Sequence, residues 1–285
     1  MSREPKIDKY AVVGNPIAHS RSPEIHRLFA KQTRQSISYE KLEAPLDGFE
    51  EFALGLRDAG YLGLNVTIPF KIDAAKLADD LTPRARLAGA VNTLKFDGDA
   101  ILGDNTDGIG FVRDVTQRLK FKLAGSCILI LGAGGGVRGL IGALLEEKPK
   151  WIAVANRTHG RAQELADEFG IEAIHFDEVP AEHFDIVING TATSLNHATP
   201  AIDPETFDDC TLAYDLVYAP EPTPFMQLAK SGGAKTVSDG LGMLIEQAAE
   251  SFYVWRGVRP STAPVYKELR RLLEEEARSA ATAAR

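Results

Sequence analysis

Two hydrophobic periods alternate along the chain. "YAVVG", "SISYEKL" and "GLNVTI" are short apolar or alternating runs that predict strands over residues 10–14, 36–42 and 63–68. Between them "PEIHRLFAKQ" and "GFEEFALGLRDAG" carry apolar positions at helical spacing. "VNTLKFDGDAILGDN" predicts a hairpin whose two arms meet at Asp97-Gly98, a pair suited to a tight turn. A helix is expected over "NTDGIGFVRDVTQRL", after which "CILIL", "WIAVANR", "FDIVING", "LAYDLVY" and "AKTVSDG" predict five more strands. "LGMLIEQAAESFYVWRG" and "PVYKELRRLLEEEARSAATAAR" close the chain as helices, the last alanine-rich stretch as a frayed end or tail. Strands alternating with helices imply an α/β fold with mainly parallel pairing.

Length changes this picture only by implying two domains, since 285 residues exceed one ordinary core. No apolar run approaches a membrane span, and the polar start MSREPKIDKY carries no signal-peptide pattern, so a cytoplasmic protein is expected. A formal net charge of -8 argues against nucleic acid as a partner, because phosphate neutralisation needs a basic face. Cys127 and Cys210 have no metal-ligand spacing and are expected as free thiols.

Gly132, Gly134 and Gly135 follow an apolar strand and precede a helix pattern through Leu140, Ile141, Leu144 and Leu145. In that context glycines let the backbone approach a pyrophosphate at a helix N-terminus, although Val137 breaks the strict G-x-G-x-x-G spacing. The next strand ends in Asn156, Arg157 and Thr158, with no carboxylate for a ribose hydroxyl. A guanidinium there suits the 2'-phosphate of NADP, while Thr158 also fits a helix N-cap.

In the first half, Ser22 fits an N-cap and Pro23 the first helical position, and Ser20 and Ser22 sit beside free N–H groups suited to a carboxylate. Period two sends Leu64, Val66 and Ile68 to one face of a strand that Pro69 stops, and Asn65 and Thr67 to the other. Lys71 follows, Asn92 lies in "AVNT" and Asp107 stands at the mouth of a helix. Together they form a set of hydrogen-bonding groups with one cation and one anion, suited to a small polyhydroxylated acid.

Across "HSRSP", "GLNVTIPFK", "GAVNT", "GDNTDGIGF", "GAGGG", "NRT", "YDLVYAPEPTPF" and "DGLGMLIEQA" the chain resembles the shikimate dehydrogenase family over nearly its whole length. The resemblance implies an N-terminal α/β substrate domain (1–106 with 241–285), a Rossmann-like NADP domain (107–240), C-terminal helices packing back on the first domain, and an active site in the cleft. It implies reversible NADPH-dependent reduction of 3-dehydroshikimate to shikimate, in aromatic amino acid biosynthesis. By matching motif, Ser20 and Ser22 are implied to hold the substrate carboxylate, and Asn65, Thr67, Asn92, Asp107 and Gln247 the ring hydroxyls. Lys71 and Asp107 are implied as the catalytic pair, and Tyr218 as a neighbour of substrate and nicotinamide. For the cofactor it implies Gly132, Ala133, Gly134, Gly135 and Gly136, then Asn156, Arg157 and Thr158, then Val217, Gly240 and Met243. It leaves room for a homodimer.

Three positions depart from the family's pattern: Arg27 replaces a common asparagine, "INGTATSLN" stands where "INATSxG" is typical, and Gly136 replaces an alanine. The last costs at most about 1 kcal/mol of helix propensity. Alternatives are a dehydrogenase for quinate or an aminoshikimate, against which Ser22 speaks, and a catalytically silent shikimate-binding relative, against which Lys71 and Asp107 speak. No metal is expected: Asp97, Asp99, Asp104 and Asp107 lack calcium-loop spacing, the histidines form no H-E-x-x-H pair, and His19 and His26 are expected as ordinary polar groups.

Overall fold

The computed structural model describes residues 7–179 and 184–283. Packing divides it into two units. The first runs to Gly110 and takes in Ile245–Val265; the second is Phe111–Leu244 with the segment from Tyr266 onward.

The first unit holds a mixed six-stranded sheet of β1 (Asp8–Gly14), β2 (Ile37–Glu43), β3 (Tyr61–Val66), β4 (Asp80–Leu81), β5 (Thr93–Asp97) and β6 (Ala100–Asp104), in the order β2-β1-β3-β5-β6-β4. β1 pairs in parallel with β2 and β3, and β5 and β6 form the antiparallel hairpin expected from the sequence. Gly98, at φ +61°, makes its turn possible. Helices α1 (Ser22–Thr33), α2 (Phe49–Asp58), α3 (Lys71–Leu77) and α4 (Pro83–Ala88) connect the strands, and α5 (Asp107–Arg113) follows β6. The core joins Leu64 and Val66 of β3 to Phe49, Phe70, Leu94 and Ile101. α4 starts where the Thr82 hydroxyl accepts the Ala85 N–H, a cap that ties the end of the β4 connection to the helix.

Two local expectations need correcting. Ser22 is the first residue of α1 rather than its cap, which is Arg21, so Pro23 sits one place further in. β3 ends at Val66, not Ile68: the Thr67 N–H still bonds Val13, but the chain then turns, with the Phe70 N–H on the Thr67 carbonyl. Strand alternation therefore stops applying, and Ile68 is 71% exposed while Phe70 takes the inward place, stacked on Phe49 at 5.0 Å.

The second unit holds a six-stranded parallel sheet of β7 (Cys127–Leu131), β8 (Trp151–Asn156), β9 (Glu172–His175), β10 (Ile186–Asn189), β11 (Leu212–Asp215) and β12 (Thr236–Ser238), ordered β12-β11-β10-β7-β8-β9. The order reverses between β7 and β10, the switch point of a doubly wound nucleotide-binding sheet. α6 (Gly135–Glu146), α7 (His159–Phe169) and α8 (Pro224–Ser231) connect the strands. The strands are apolar on both faces: Ile128 and Ile130 face one core with Leu140 and Leu144, Leu129 and Leu131 another with Phe184 and Phe207.

α9 (Leu241–Arg256) and α10 (Ala263–Ala283) end the described chain. The stretch Ile245–Val265 belongs with the first unit, where the Trp255 indole donates to Leu94 at 2.9 Å and stacks on Tyr10 at 4.6 Å. From Tyr266 onward α10 belongs with the second, where Arg270 grips both oxygens of Asp239.

Candidate active site

In the first unit the site is built at the carboxyl end of β3. After the turn at Thr67–Phe70 the chain re-enters helix at Lys71, so that lysine is aimed by the first turn of α3 rather than by the strand. Its carbonyl accepts the Val91 N–H, which fixes the start of α3 against the segment leading to Asn92. Lys71 Nζ donates to Asp107 Oδ2 at 2.6 Å, and both side chains are mostly buried. Asp107 opens α5, with its N–H on the Asn105 side chain.

Asn92 holds the other carboxylate oxygen, its Nδ2 donating to Asp107 Oδ1 at 2.8 Å. The orientation of the Asn92 amide is not arbitrary, because its Oδ1 accepts the Thr106 backbone N–H at 2.9 Å, which only an oxygen can do. The same oxygen takes the Thr93 hydroxyl at 2.9 Å. Gln247 joins through its Oε1, 3.3 Å from both Asn92 Nδ2 and the Thr106 hydroxyl. Asn65 is held from both ends: its Nδ2 donates to the Asn92 carbonyl and to Ser251 at 2.9 Å, and its Oδ1 accepts the Tyr39 hydroxyl at 2.7 Å. Ser20 and Ser22 lie at the start of α1 with their hydroxyls 3.2 Å apart. The first unit thus contains Ser20, Ser22, Asn65, Thr67, Lys71, Asn92, Asp107 and Gln247, and hydrogen bonds link Asn65, Lys71, Asn92, Asp107 and Gln247 into one network.

Asp104 of the same acidic stretch is used differently. It accepts from the Thr82 hydroxyl at 2.6 Å and from both Nε and Nη2 of Arg84, so its charge is spent on packing β6 against α4. Glu250 holds the same guanidinium at 3.0 Å.

In the second unit the remaining residues line the carboxyl edge of the parallel sheet. The loop Gly132–Gly136 follows β7 and leads into α6, with the Gly132 N–H bonded to Ala155 of β8. Gly132 takes φ +101°, and a Cβ there would lie 3.0 Å from the Gly190 carbonyl, so a glycine is required. A Cβ on Gly134, Gly135 or Gly136 would meet nothing within 4 Å, so the first turn of α6 faces open space. Asn156 ends β8 and donates to the Thr158 carbonyl at 2.8 Å, shaping the turn that exposes Arg157 and Thr158. Thr158 occupies the N-cap position of α7 without a side-chain capping bond, leaving its hydroxyl for other partners. His159 stacks on His175 at 3.8 Å, and its Nδ1 is buried with no hydrogen-bond partner. An open helix N-terminus, an exposed guanidinium in place of a carboxylate and an unsatisfied imidazole nitrogen together fit a phosphorylated dinucleotide.

The Val217 carbonyl accepts the Gly240 N–H at 3.1 Å, which brings two of the expected cofactor positions together, with Tyr218 next in the chain. The Met243 N–H bonds the Tyr214 hydroxyl at 3.3 Å, and that hydroxyl donates to the fully buried Asp114, which is gripped by Arg118. The variant loop Thr191–Ser194 is also anchored. The Ser194 hydroxyl donates to Asp215 at 2.6 Å, and Thr191 bonds Asn189. Burial pushes the Asp215 carboxyl above the usual carboxylate range, and donors from Ser194, Thr223, Val217 and Asn189 oppose that shift.

Three family models match in order along the chain: the shikimate dehydrogenase substrate binding domain over residues 12–94, shikimate/quinate 5-dehydrogenase over 114–211, and the shikimate 5'-dehydrogenase C-terminal domain over 240–270. A shikimate dehydrogenase (NADP(+)) from Janthinobacterium sp. (strain Marseille) is 55% identical, covering 93% of this chain and 98% of that protein. The chain belongs to the shikimate dehydrogenase family. Among solved structures in or near the family, an Ael1 enzyme from Pseudomonas putida is 42% identical, with a TM-score of 0.88 over 92% of this chain and 98% of that one. The Thermus thermophilus shikimate 5-dehydrogenase in complex with NADP(H) and shikimate is 35% identical, with a TM-score of 0.85 over 93% and 99%.

Beside the family's motif residues stand groups that sequence reasoning missed. Thr93, Thr106 and Ser251 are fully buried hydroxyls tying Asn65, Asn92 and Gln247 together. Ser251 lies one helical turn beyond Gln247 on α9, so i, i+4 spacing was the available signal. His26, given no special role by its sequence, is fully buried against Tyr39, Phe29, Phe252 and Trp255. Burial drives its pKa down to about 3, and neither ring nitrogen has a hydrogen-bond partner that would hold a proton on it.

That shift has a sign. Below the ordinary histidine pKa the unfolded chain takes up a proton that the native ring refuses until about pH 3. Stability is therefore lost as pH falls through that window, by roughly 1.4 kcal/mol per pH unit from this group. His26→Phe should flatten the fall in urea midpoint between pH 6.5 and 5, and an unchanged slope would contradict the assignment.

Proposed function

We propose that this chain catalyses the reversible NADPH-dependent reduction of 3-dehydroshikimate to shikimate, with the first unit holding the substrate and the second the cofactor. The observation that carries this is the Lys71–Asp107 pair at 2.6 Å, locked by Asn92 and set among amides and hydroxyls, in a chain 55% identical to an NADP-dependent shikimate dehydrogenase.

Bound NADPH supplies a hydride to the ring carbonyl carbon. As that C–H bond forms, the carbonyl oxygen gains charge and must receive a proton. Lys71 Nζ carries three donors, one of them committed to Asp107, so it can stabilise the oxygen and hand it the proton. Asp107 keeps the ammonium in place, and with Asn92 and Gln247 it grips ring hydroxyls. Ser20 and Ser22 take the carboxylate, and Asn65 and Thr67 complete the hydroxyl contacts. In the second unit the Gly132–Gly136 loop cradles the pyrophosphate, with Ala133 in its course, and Asn156, Arg157 and Thr158 hold the adenosine 2'-phosphate. Val217, Gly240 and Met243 line the nicotinamide, with Tyr218 reaching the substrate.

Among the described residues no helix is long and apolar enough to cross a membrane. We place the enzyme in the cytoplasm and allow it a homodimeric form, which light scattering would read directly. The deciding experiment is initial-rate absorbance at 340 nm with shikimate and quinate, each with NADP and NAD. Fastest turnover with shikimate and NADP is expected. Preference for quinate would move the substrate assignment, and silence with all four pairs would point to a binding protein instead.

A further inference from the structure

We propose that Tyr214 is a positioning residue of the nicotinamide site, whose hydroxyl, held by Asp114 and Arg118, fixes the first turn of α9 and with it Met243. This rests on Met243 lining the nicotinamide, as assigned above.

α9 begins at Leu241, so Met243 is its third residue, and its N–H is one of the four at a helix start that have no partner within the helix. Nearby groups hold the residues around it: the Asp239 carboxylate accepts the Leu241 N–H at 3.3 Å, and the Val217 carbonyl accepts the Gly240 N–H at 3.1 Å. Met243 depends instead on Tyr214 of β11, 29 residues back, whose hydroxyl accepts its N–H at 3.3 Å.

The proton count fixes the direction of this line. A carboxylate only accepts, so the single hydroxyl proton of Tyr214 goes to Asp114 Oδ2 at 2.7 Å, and the oxygen keeps its lone pairs for Met243. Asp114 is fully buried and opens the π-helical turn Asp114–Arg118, from which Arg118 returns to bond both of its oxygens. That guanidinium is itself held, donating to Ser238 at 3.1 Å and lying 4.4 Å from the centre of the Tyr266 ring. The carboxylate cannot swing away without leaving a buried charge unpaired. It also packs directly on α9, where a Cβ on Gly242 would collide with it. Burial, reinforced by the Asp114 charge, raises the Tyr214 hydroxyl well above the ordinary phenol range, so the proton stays in place. The Tyr214 ring fills the core edge-on to Phe111 at 4.9 Å, a place that phenylalanine would fill equally well. What the hydroxyl adds is a fixed point for Met243.

The test compares wild type, Tyr214→Phe, Met243→Ala and the double variant, each checked for native circular dichroism. Two readouts are paired: kcat/KM for NADP at saturating shikimate, and the inhibition constant of adenosine 2',5'-bisphosphate, which carries the phosphate end of the cofactor without the nicotinamide. Tyr214→Phe should lower kcat/KM for NADP by roughly 10-fold, the weight of one hydrogen bond, and leave the bisphosphate constant unchanged. In the Met243→Ala background it should add little, because the residue it positions is gone. Should Tyr214→Phe fail to fold, Arg118→Lys serves in its place: it keeps the charge but gives up the paired grip on Asp114, and should show the same contrast between the two readouts at smaller amplitude. A bisphosphate constant that rises with the NADP effect, an unchanged kcat/KM, or losses that simply multiply in the double variant would overturn the proposal while wild-type turnover of shikimate stands. Met243→Ala without effect on kcat/KM for NADP would overturn the Met243 assignment and the proposal with it, and wild-type protein inert toward shikimate and NADP would overturn the assigned function as well.

Discussion

Replacing Lys71 with alanine should lower kcat by roughly 100-fold or more, the usual weight of acid-base assistance, with a smaller effect on the KM for shikimate. The expectation rests on how little else is available. Within the first unit, Lys71 is the cation bonded to Asp107, and the Arg84 guanidinium is committed to Asp104 and Glu250. Asn92, Gln247 and the hydroxyls can orient a substrate oxygen but do not readily give up a proton.

A second substitution separates proton transfer from charge. Lys71→Arg retains the positive charge and the ability to donate hydrogen bonds, but a guanidinium does not release its proton in a protein. If Lys71 acts as the acid, the arginine variant should be nearly as slow as the alanine one. If the lysine only stabilises developing charge, arginine should recover much of the rate. Initial rates in both directions, with melting temperatures as a control for folding, distinguish these outcomes. Near-wild-type turnover in Lys71→Ala would sink the mechanism altogether.

How far the molecule was legible in its sequence depends on whether local pattern or long-range packing decides each feature. The parallel sheet of the second unit was readable because strands such as Cys127–Leu131 are apolar on both faces and bounded by glycine. The end of β3 was misplaced because alternation continues in the letters through Ile68, whereas the backbone leaves the strand after Val66 and lets Phe70 claim the buried place. The short segments around α3, β4 and α4 have too few residues for a period to register. In the site, Lys71 and Asp107 stood out as charges in otherwise polar and apolar surroundings. Thr93, Thr106 and Ser251 did not, since a buried hydroxyl looks like any surface hydroxyl until distant partners close around it, and Ser251 bonds Asn65 from 186 residues away. Tyr39 and His26 were hidden for the same reason: their stack joins β2 to α1 through contacts that no local spacing encodes.

Arg157→Ala should raise the KM for NADP by roughly 10- to 100-fold, in line with the loss of a charge-assisted hydrogen bond to phosphate, and leave the KM for NAD nearly unchanged. The two cofactors differ only at the adenosine 2' position, so a residue that reads that phosphate must discriminate between them. Arg157 is suited to this because it is exposed at the end of β8, on a turn whose shape is set by the Asn156 side chain rather than by the arginine itself. Its removal should therefore leave the turn and the fold intact. NAD, which has no 2'-phosphate, loses no partner when the guanidinium is removed, which is why it should be spared. The variant's kcat at saturating NADP should match wild type, since the adenosine end lies far along the cofactor from the hydride. A parallel rise in both KM values, or a fall in kcat at saturation, would mean that Arg157 supports the loop instead of reading the phosphate.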